Sequence, residues 1–73
     1  MTVELVTRCG CHLCEEAEAL LRSMGLEPEL RDVDLDPRLS AEYDFRVPVV
    51  LVDGRVVGEG RISRDVLQRA LGV

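Results

Sequence analysis

The sequence predicts an α/β domain in which one mixed, four-stranded sheet is flanked by helices, with the element order βαβαββα. Short runs typical of strands alternate with stretches whose apolar residues recur at helical spacing. The 73 residues are too few for two separate cores, so we expect a single domain over residues 1–73. With 47% apolar and 32% charged residues, the chain is expected to be ordered.

The first part of the chain predicts a βαβ unit. Val3–Thr7 is short and β-branched, and the apolar period becomes helical from Leu13 until Gly25, which suits the position after a helix end. Pro28 blocks continuation of the helix, and a second strand is predicted over 29–35. A helix that connects two strands in this way favours parallel pairing. One apolar face of the helix is predicted to comprise Leu13, Ala17, Leu20, Leu21 and Met24. The apolar members of the predicted strand are Leu30, Val33 and Leu35.

The middle of the chain predicts a short helix followed by a buried strand. Asp36 and Pro37 suit the N-cap and the first position of a helix that ends near Tyr43. The almost uniformly aliphatic run over 47–52 is typical of a strand that is buried on both faces.

The last part predicts a hairpin and a helix. Asp53-Gly54 is a strong signal for a two-residue turn, from which a strand over 55–58 returns antiparallel. Ser63 is the expected N-cap of the final helix. The apolar stripe of that helix is predicted to comprise Val66, Leu67, Ala70 and Leu71.

Composition excludes several classes of function. The formal net charge of −5 disfavours a nucleic-acid partner, and no apolar run approaches the roughly 20 residues of a membrane span. The first residues show neither the charged nor the apolar region of a signal peptide, so the cytoplasm is the expected location. Three clustered cysteines are too few for a disulfide-stapled scaffold.

The chemistry-bearing motif is Cys11-His12-Leu13-Cys14, at the junction of the first predicted strand and helix. Unpaired main-chain N–H groups and the helix dipole stabilise a thiolate there and lower the pKa of its thiol. The second sulfur lies one turn further along the same helix face, so it can attack a mixed disulfide on the first. We therefore assign Cys11 as the nucleophile and Cys14 as the resolving thiol.

The cysteines could instead form a structural staple, a zinc site or a metal cluster. As a structural staple, a four-residue disulfide loop would contribute only about 2 kcal/mol in the chain-entropy model. A zinc site needs four ligands, usually from two separated segments, whereas His12 and the three cysteines share six residues. An iron–sulfur or metal cluster on Cys9 and Cys11, shared with a second chain, stays an alternative. Cys9 is either a passive loop residue or a third redox thiol.

Motifs from Val3 to Leu71 carry a resemblance to a known family. They are Thr7-Arg8, Cys11-His12-Leu13-Cys14-Glu15-Glu16-Ala17, Val33-Asp34, Tyr43, Arg46-Val47-Pro48-Val49 and Asp53-Gly54. This pattern resembles the glutaredoxins of the thioredoxin-fold superfamily, and most of all the short bacterial glutaredoxin-like proteins. The resemblance implies the thioredoxin/glutaredoxin fold and a thiol–disulfide oxidoreductase.

The resemblance also implies how a substrate is held. It implies that the Val47-Pro48 bond is cis and lies against the active-site cysteines. The Val47 main chain would then be free to pair with an extended substrate. Glutathione or protein disulfides are the implied substrates, and glutathione or a reductase is the implied electron donor. No organic cofactor is expected, and the chain is expected to act as a monomer without nucleic-acid or membrane partners.

The segment before the last helix departs from the family pattern. Glutaredoxins usually carry Gly-Gly followed by an acid there, whereas this chain has Gly58-Glu59-Gly60-Arg61. Ser63 at the helix N-terminus could receive a substrate carboxylate, and Arg8 or Arg61 could pair with another. Glu59 is expected to repel a substrate carboxylate such as those of glutathione. This favours a protein dithiol as a partner alongside glutathione.

The remaining alternatives concern His12 and the function as a whole. As an imidazolium, His12 could stabilise the Cys11 thiolate, or it could be an exposed loop residue without a role. Besides the metal or iron–sulfur carrier, a non-catalytic thioredoxin-like interaction domain would also account for the fold.

Overall fold

Seven elements follow one another along the chain in the predicted order. The structure is a computed structural model that describes residues 1–72, so that Val73, the last residue of the predicted domain, lies outside the described residues. The elements are β1 (Val3–Thr7), α1 (His12–Ser23), β2 (Glu29–Asp32), α2 (Pro37–Tyr43), β3 (Val49–Val52), β4 (Arg55–Glu59) and α3 (Arg64–Leu71).

The four strands form one mixed sheet in the order β2-β1-β3-β4. β1 and β2 are parallel, as the βαβ connection predicts, with Leu5 opposite Leu30. β1 and β3 are antiparallel, with Val6 opposite Val49, and β3 and β4 form the predicted antiparallel hairpin. The predicted four-stranded mixed sheet is therefore confirmed.

Both faces of the sheet are buried because successive side chains of the central strands point in opposite directions. Leu5 packs on one face with Leu21 of α1 and Leu67 of α3, and all three side chains are fully buried. Val6 packs on the other face with Val33, and partly buried side chains of α2 complete that cluster. Hence α1 and α3 cover one face of the sheet, and α2 covers the other.

The end of α1 matches its sequence signal in detail. Gly25 has φ +81°, a left-handed conformation that favours glycine. Its N–H donates to the Arg22 carbonyl at 3.0 Å, and the Leu26 N–H donates to the Leu21 carbonyl at 3.1 Å. These two bonds form a Schellman motif, which satisfies carbonyls that the helix itself leaves unpaired.

The hairpin between β3 and β4 also forms as its sequence predicts. Asp53 and Gly54 both have positive φ, at 51° and 83°, as a type I′ turn requires. The Asp53 side chain accepts a hydrogen bond from the Thr2 N–H at 2.8 Å, and its own N–H donates to the Thr2 carbonyl at 2.9 Å. The turn is thereby tied to the start of β1.

The second strand is shorter than the predicted 29–35. The Asp32 side chain accepts from the Asp34 N–H at 2.9 Å, and the Leu35 N–H donates to the Asp32 carbonyl at 3.1 Å. These bonds turn the chain away from the sheet after Asp32. Of the three apolar residues of the predicted strand, Val33 is fully buried, whereas Leu30 and Leu35 are 48% and 82% exposed.

One further boundary and the apolar stripe of the last helix differ from the prediction. The third strand begins at Val49 rather than at residue 47, so Val47-Pro48 forms the approach to the strand. In α3, Leu67 is buried and Leu71 is partly buried, but Val66 and Ala70 are exposed. Within residues 1–72, no helix is long and apolar enough to cross a membrane.

Candidate active site

The loop between β1 and α1 brings the motif cysteines to the start of a helix. A turn closes where the Cys11 N–H donates to the Arg8 carbonyl at 3.2 Å, and Gly10 within it has φ +80°. Cys11 is the N-cap of α1 and has extended backbone geometry. Such a turn changes the direction of the chain between β1 and α1, and Cys11 lies at the junction of the two elements.

Cys11 and Cys14 form a disulfide, with their Cα atoms 5.2 Å apart. The two sulfurs differ in environment, because Cys14 is only 1% exposed whereas Cys11 is half-buried. The Cys14 N–H lies 3.2 Å from the Cys11 sulfur and donates to it. Of the pair, Cys11 is therefore the sulfur that an incoming group can reach, and it faces a main-chain donor of the helix start.

The same geometry is suited to a thiolate at Cys11. An anion at an N-cap receives main-chain hydrogen bonds and lies at the positive end of the helix dipole. The Cys14 N–H that now donates to sulfur is one such donor. Thiolates in this position are stabilised relative to free cysteine, which is the chemical requirement for nucleophilic attack near neutral pH.

The Val47-Pro48 segment lies at the same edge of the sheet as the cysteine loop. β1 runs antiparallel to β3 with Val6 opposite Val49, so the residues before Val49 lie alongside those that follow Val6. The Val47-Pro48 bond is cis, as the resemblance implies. Pro48 is buried, and its carbonyl accepts from the Gly60 N–H at 2.8 Å. Among the described residues, the Val47 N–H and C=O have no main-chain partner.

A small surface pocket adjoins the cysteine motif. It is lined by Leu13, Glu16 and Ala17 of α1 and by Arg61 and Ile62 from the loop before α3. Leu13 belongs to the cysteine motif, and it lines the pocket together with residues of the loop before α3. Arg61 thus lies beside Leu13 of the cysteine motif, and its role in substrate binding stays a prediction. Sequence reasoning did not assign Glu16, since an exposed glutamate near a helix start has no distinctive pattern.

Arg8 is held by two acidic side chains from distant segments. Its guanidinium donates to both carboxylate oxygens of Asp34, at 3.0 and 2.9 Å, and to the carboxylate and main-chain carbonyl of Asp44. The hydrogen bond from Arg8 lowers the pKa of Asp34 below its ordinary value. Arg8 thus ties together the ends of β1, β2 and α2. Its predicted contact with a substrate carboxylate would compete with these bonds.

We expect replacement of Asp34 by asparagine to make the stability of the protein less dependent on pH in the acidic range. A carboxyl whose pKa is lowered by folding stabilises the protein above its ordinary pKa, and that contribution disappears as the pH falls through the lowered value. Asp34→Asn should therefore lower the melting temperature at pH 7, and the difference from wild type should shrink below about pH 4. Thermal unfolding across pH 2–7 measures this, with Glu27→Gln as an exposed control. A constant difference across that range would contradict the ion pair.

A second ion pair holds Glu59 near Val47-Pro48. Arg46 Nη2 lies 2.6 Å from Glu59 Oε2, and the guanidinium also stacks 5.1 Å from the Tyr43 ring centroid. The hydrogen bond from Arg46 lowers the pKa of Glu59. The expectation that Glu59 repels a substrate carboxylate is thereby weakened, because much of its charge is compensated by Arg46.

The other predicted residues take peripheral positions. His12 is exposed, and its Nε2 lies 3.8 Å from Glu16 Oε2, which places the ring near the rim of the pocket. Ser63 caps α3 by accepting the Val66 N–H at 3.3 Å. Cys9 is exposed and has a free thiol. In the part of the chain that the structure describes, no three side chains of His, Cys, Asp or Glu are grouped as metal ligands would be.

The fold and the cysteine pair define a class of protein. A mixed sheet in the order β2-β1-β3-β4, a cysteine pair at the start of α1 and a cis-proline before β3 make this a thioredoxin-fold domain of the glutaredoxin-like type. The model of the family described as "Glutaredoxin-like domain (DUF836)" matches residues 2–72, and the chain belongs to that family. The resemblance inferred from the sequence is confirmed.

Two sequence relatives and one solved structure match this chain over most of their length. An uncharacterized protein of Mycobacterium bovis and one of Mycobacterium tuberculosis are each 37% identical over 84 aligned residues, covering 96% of this chain and 87% of theirs. An X-ray structure of a structural-genomics target protein from X. campestris is 27% identical. It superposes with a TM-score of 0.85 and covers 97% of this chain and 96% of its own.

Proposed function

We propose that the protein is a thiol–disulfide oxidoreductase that uses Cys11 and Cys14. The observation that carries the proposal is the asymmetry of the pair. The sulfur of Cys11 is accessible and faces a helix N–H, whereas Cys14 is buried within disulfide reach of it. One sulfur is thus placed to attack a substrate, and the other is placed to attack the first.

The reaction has two exchanges. The Cys11 thiolate attacks one sulfur of a substrate disulfide, forms a mixed disulfide and expels the other substrate sulfur as a thiolate, which takes up a proton. The Cys14 thiolate then attacks the Cys11 sulfur and expels the second substrate thiolate. Two electrons pass to the substrate, which becomes two thiols, and the protein is left with the Cys11–Cys14 disulfide. A thiol reductant, either glutathione or a protein dithiol, returns the pair to the reduced state.

The surroundings of Cys11 supply binding groups for such a substrate. The unpaired main chain of Val47 can receive an extended segment that flanks the substrate cysteine, in the manner of an added strand. Pro48 fixes that main chain at the edge of the sheet. The pocket beside Leu13 can take a neighbouring side chain, with Arg61 as a cation for a carboxylate. We propose the cytoplasm as the working compartment because its thiol pool would regenerate the dithiol.

A turnover assay tests the proposal. The reduced protein should convert bis(2-hydroxyethyl) disulfide to thiol repeatedly when glutathione, glutathione reductase and NADPH are supplied, or when a protein dithiol system replaces glutathione. NADPH consumption that depends linearly on protein concentration is the expected result. A rate equal to the protein-free rate with both reductants would refute the function.

Removal of the Arg61 guanidinium should weaken substrate binding without disturbing the thiol chemistry. A partly exposed charge contact contributes about 0.5–1 kcal/mol, which corresponds to roughly a twofold to fivefold change in affinity. Arg61→Ala should therefore raise KM for glutathione disulfide by about that factor with little change in kcat. Arg55→Ala, an exposed arginine of β4 outside the pocket, is the matched control. Equal KM values for the two variants would remove Arg61 from the binding site.

A further inference from the structure

Cys9 is a third sulfur next to the proposed nucleophile, and the two-cysteine reaction leaves it unused. Its thiol is free and exposed, and only Gly10 separates it from Cys11. The turn formed by these residues is closed by the bond from the Cys11 N–H to the Arg8 carbonyl. The three cysteines thus lie in the turn between β1 and α1 and in the first turn of α1.

The chain between Cys9 and Cys11 is short enough for a disulfide to join them. Two residues span at most about 7 Å when fully extended, and a closed turn shortens that distance. Disulfides form between Cα atoms roughly 4.4–6.8 Å apart. Gly10 has φ +80°, and no atom lies within 4 Å of where its Cβ would be, so the link between the two cysteines is neither crowded nor stiffened by a side chain.

The two candidate partners of Cys11 differ in accessibility. Cys14 is 1% exposed, whereas Cys9 is exposed. When Cys11 carries a substrate, one candidate resolving thiol is therefore buried and the other is open to solvent. An exposed thiol moves more freely than a buried one, which favours attack from Cys9.

We propose that Cys9 is a second resolving thiol, an inference that rests on the proposed oxidoreductase function. In the mixed disulfide, the Cys9 thiolate attacks the Cys11 sulfur, the bond from Cys11 to the substrate sulfur breaks, and the substrate leaves as a thiolate. The product is a Cys9–Cys11 disulfide. The Cys14 thiolate then attacks the Cys11 sulfur, expels Cys9 as a thiolate and forms the Cys11–Cys14 disulfide. The second exchange moves no net electrons, so no further oxidant is needed.

The experiment compares two variants that lack the buried thiol. Reduced Cys14→Ser protein and reduced Cys9→Ser/Cys14→Ser protein are each mixed with one equivalent of glutathione disulfide, quenched with acid and examined by intact mass and peptide mapping. Cys14→Ser should release two glutathione molecules and yield a Cys9–Cys11 disulfide. The double variant should release one and keep the other on Cys11. Release of the second glutathione should be at least about tenfold faster in Cys14→Ser, because its nucleophile is intramolecular.

Two outcomes would overturn the inference, and they are distinguishable. If wild type forms its Cys11–Cys14 disulfide but Cys14→Ser keeps the adduct as long as the double variant does, Cys9 does not resolve and the oxidoreductase function stands. If wild type itself gains neither adduct nor disulfide, the proposed function fails and the inference fails with it. Cys14→Ala repeats the comparison without a buried hydroxyl, and circular dichroism confirms that both variants fold.

Discussion

Replacement of Cys11 by serine should reduce disulfide-reductase turnover to the protein-free rate. A hydroxyl neither ionises near neutral pH nor forms a bond to sulfur that a second thiol can exchange, so both steps of the reaction are lost. The substitution should leave the fold intact, because serine is among the best N-cap residues and retains an acceptor for the Cys14 N–H. The loss therefore reports chemistry rather than unfolding.

The assay and its control are direct. Turnover of bis(2-hydroxyethyl) disulfide is measured with wild type, with Cys11→Ser and with Ala41→Ser, an exposed position of α2. The control variant should match wild type, and the melting temperatures of the three proteins should agree within a few degrees. Wild-type turnover in a folded Cys11→Ser protein would mean that another residue is the nucleophile.

Truncation of Leu21 to alanine should cause a large loss of stability. Leu21 is fully buried between α1 and the sheet, where it packs with Leu5 and Leu67. Leu-to-Ala changes in such positions cost about 2–5 kcal/mol, from lost burial and the cavity that remains. A domain of this size is stable by only about 4–11 kcal/mol, so Leu21→Ala should remove a large part of the total.

Thermal and denaturant unfolding measure this effect against a matched truncation. Leu35→Ala removes the same atoms from a side chain that is 82% exposed, so it should change the free energy of unfolding by no more than about 0.5 kcal/mol. Leu21→Ala should lower the melting temperature by about 10 °C or more. Equal effects of the two truncations would contradict the assignment of the core to this face of the sheet.

Features encoded by neighbouring residues were predicted correctly. Gly25 ends α1, Asp36 and Pro37 begin α2, and Asp53-Gly54 turns the hairpin, each through the bonds or dihedral angles that the residue type favours. The cysteine motif was placed at a helix start for the same reason, since a change of period marks that start.

Features that depend on distant residues were missed or assigned differently. Arg8 was predicted as a substrate ligand, yet it bonds to Asp34 and Asp44, which no local pattern connects to it. Leu35 is exposed because a turn takes the chain away from the sheet after Asp32. A side chain's partners after folding are set by the topology, and a single sequence gives the spacing of charges without showing which of them meet.

Cys11 and Cys14 are expected to interconvert as one two-electron pair, and redox equilibration tests this most directly. The protein is equilibrated with mixtures of reduced and oxidised glutathione, the free thiols are alkylated, and Cys9, Cys11 and Cys14 are mapped by mass. We predict a single transition with the steepness of a two-electron couple, in which the Cys11–Cys14 disulfide is the main oxidised form. If Cys11 and Cys14 both stay alkylatable across the whole range, or if Cys11 carries glutathione without any internal disulfide, the two cysteines do not act as a redox pair.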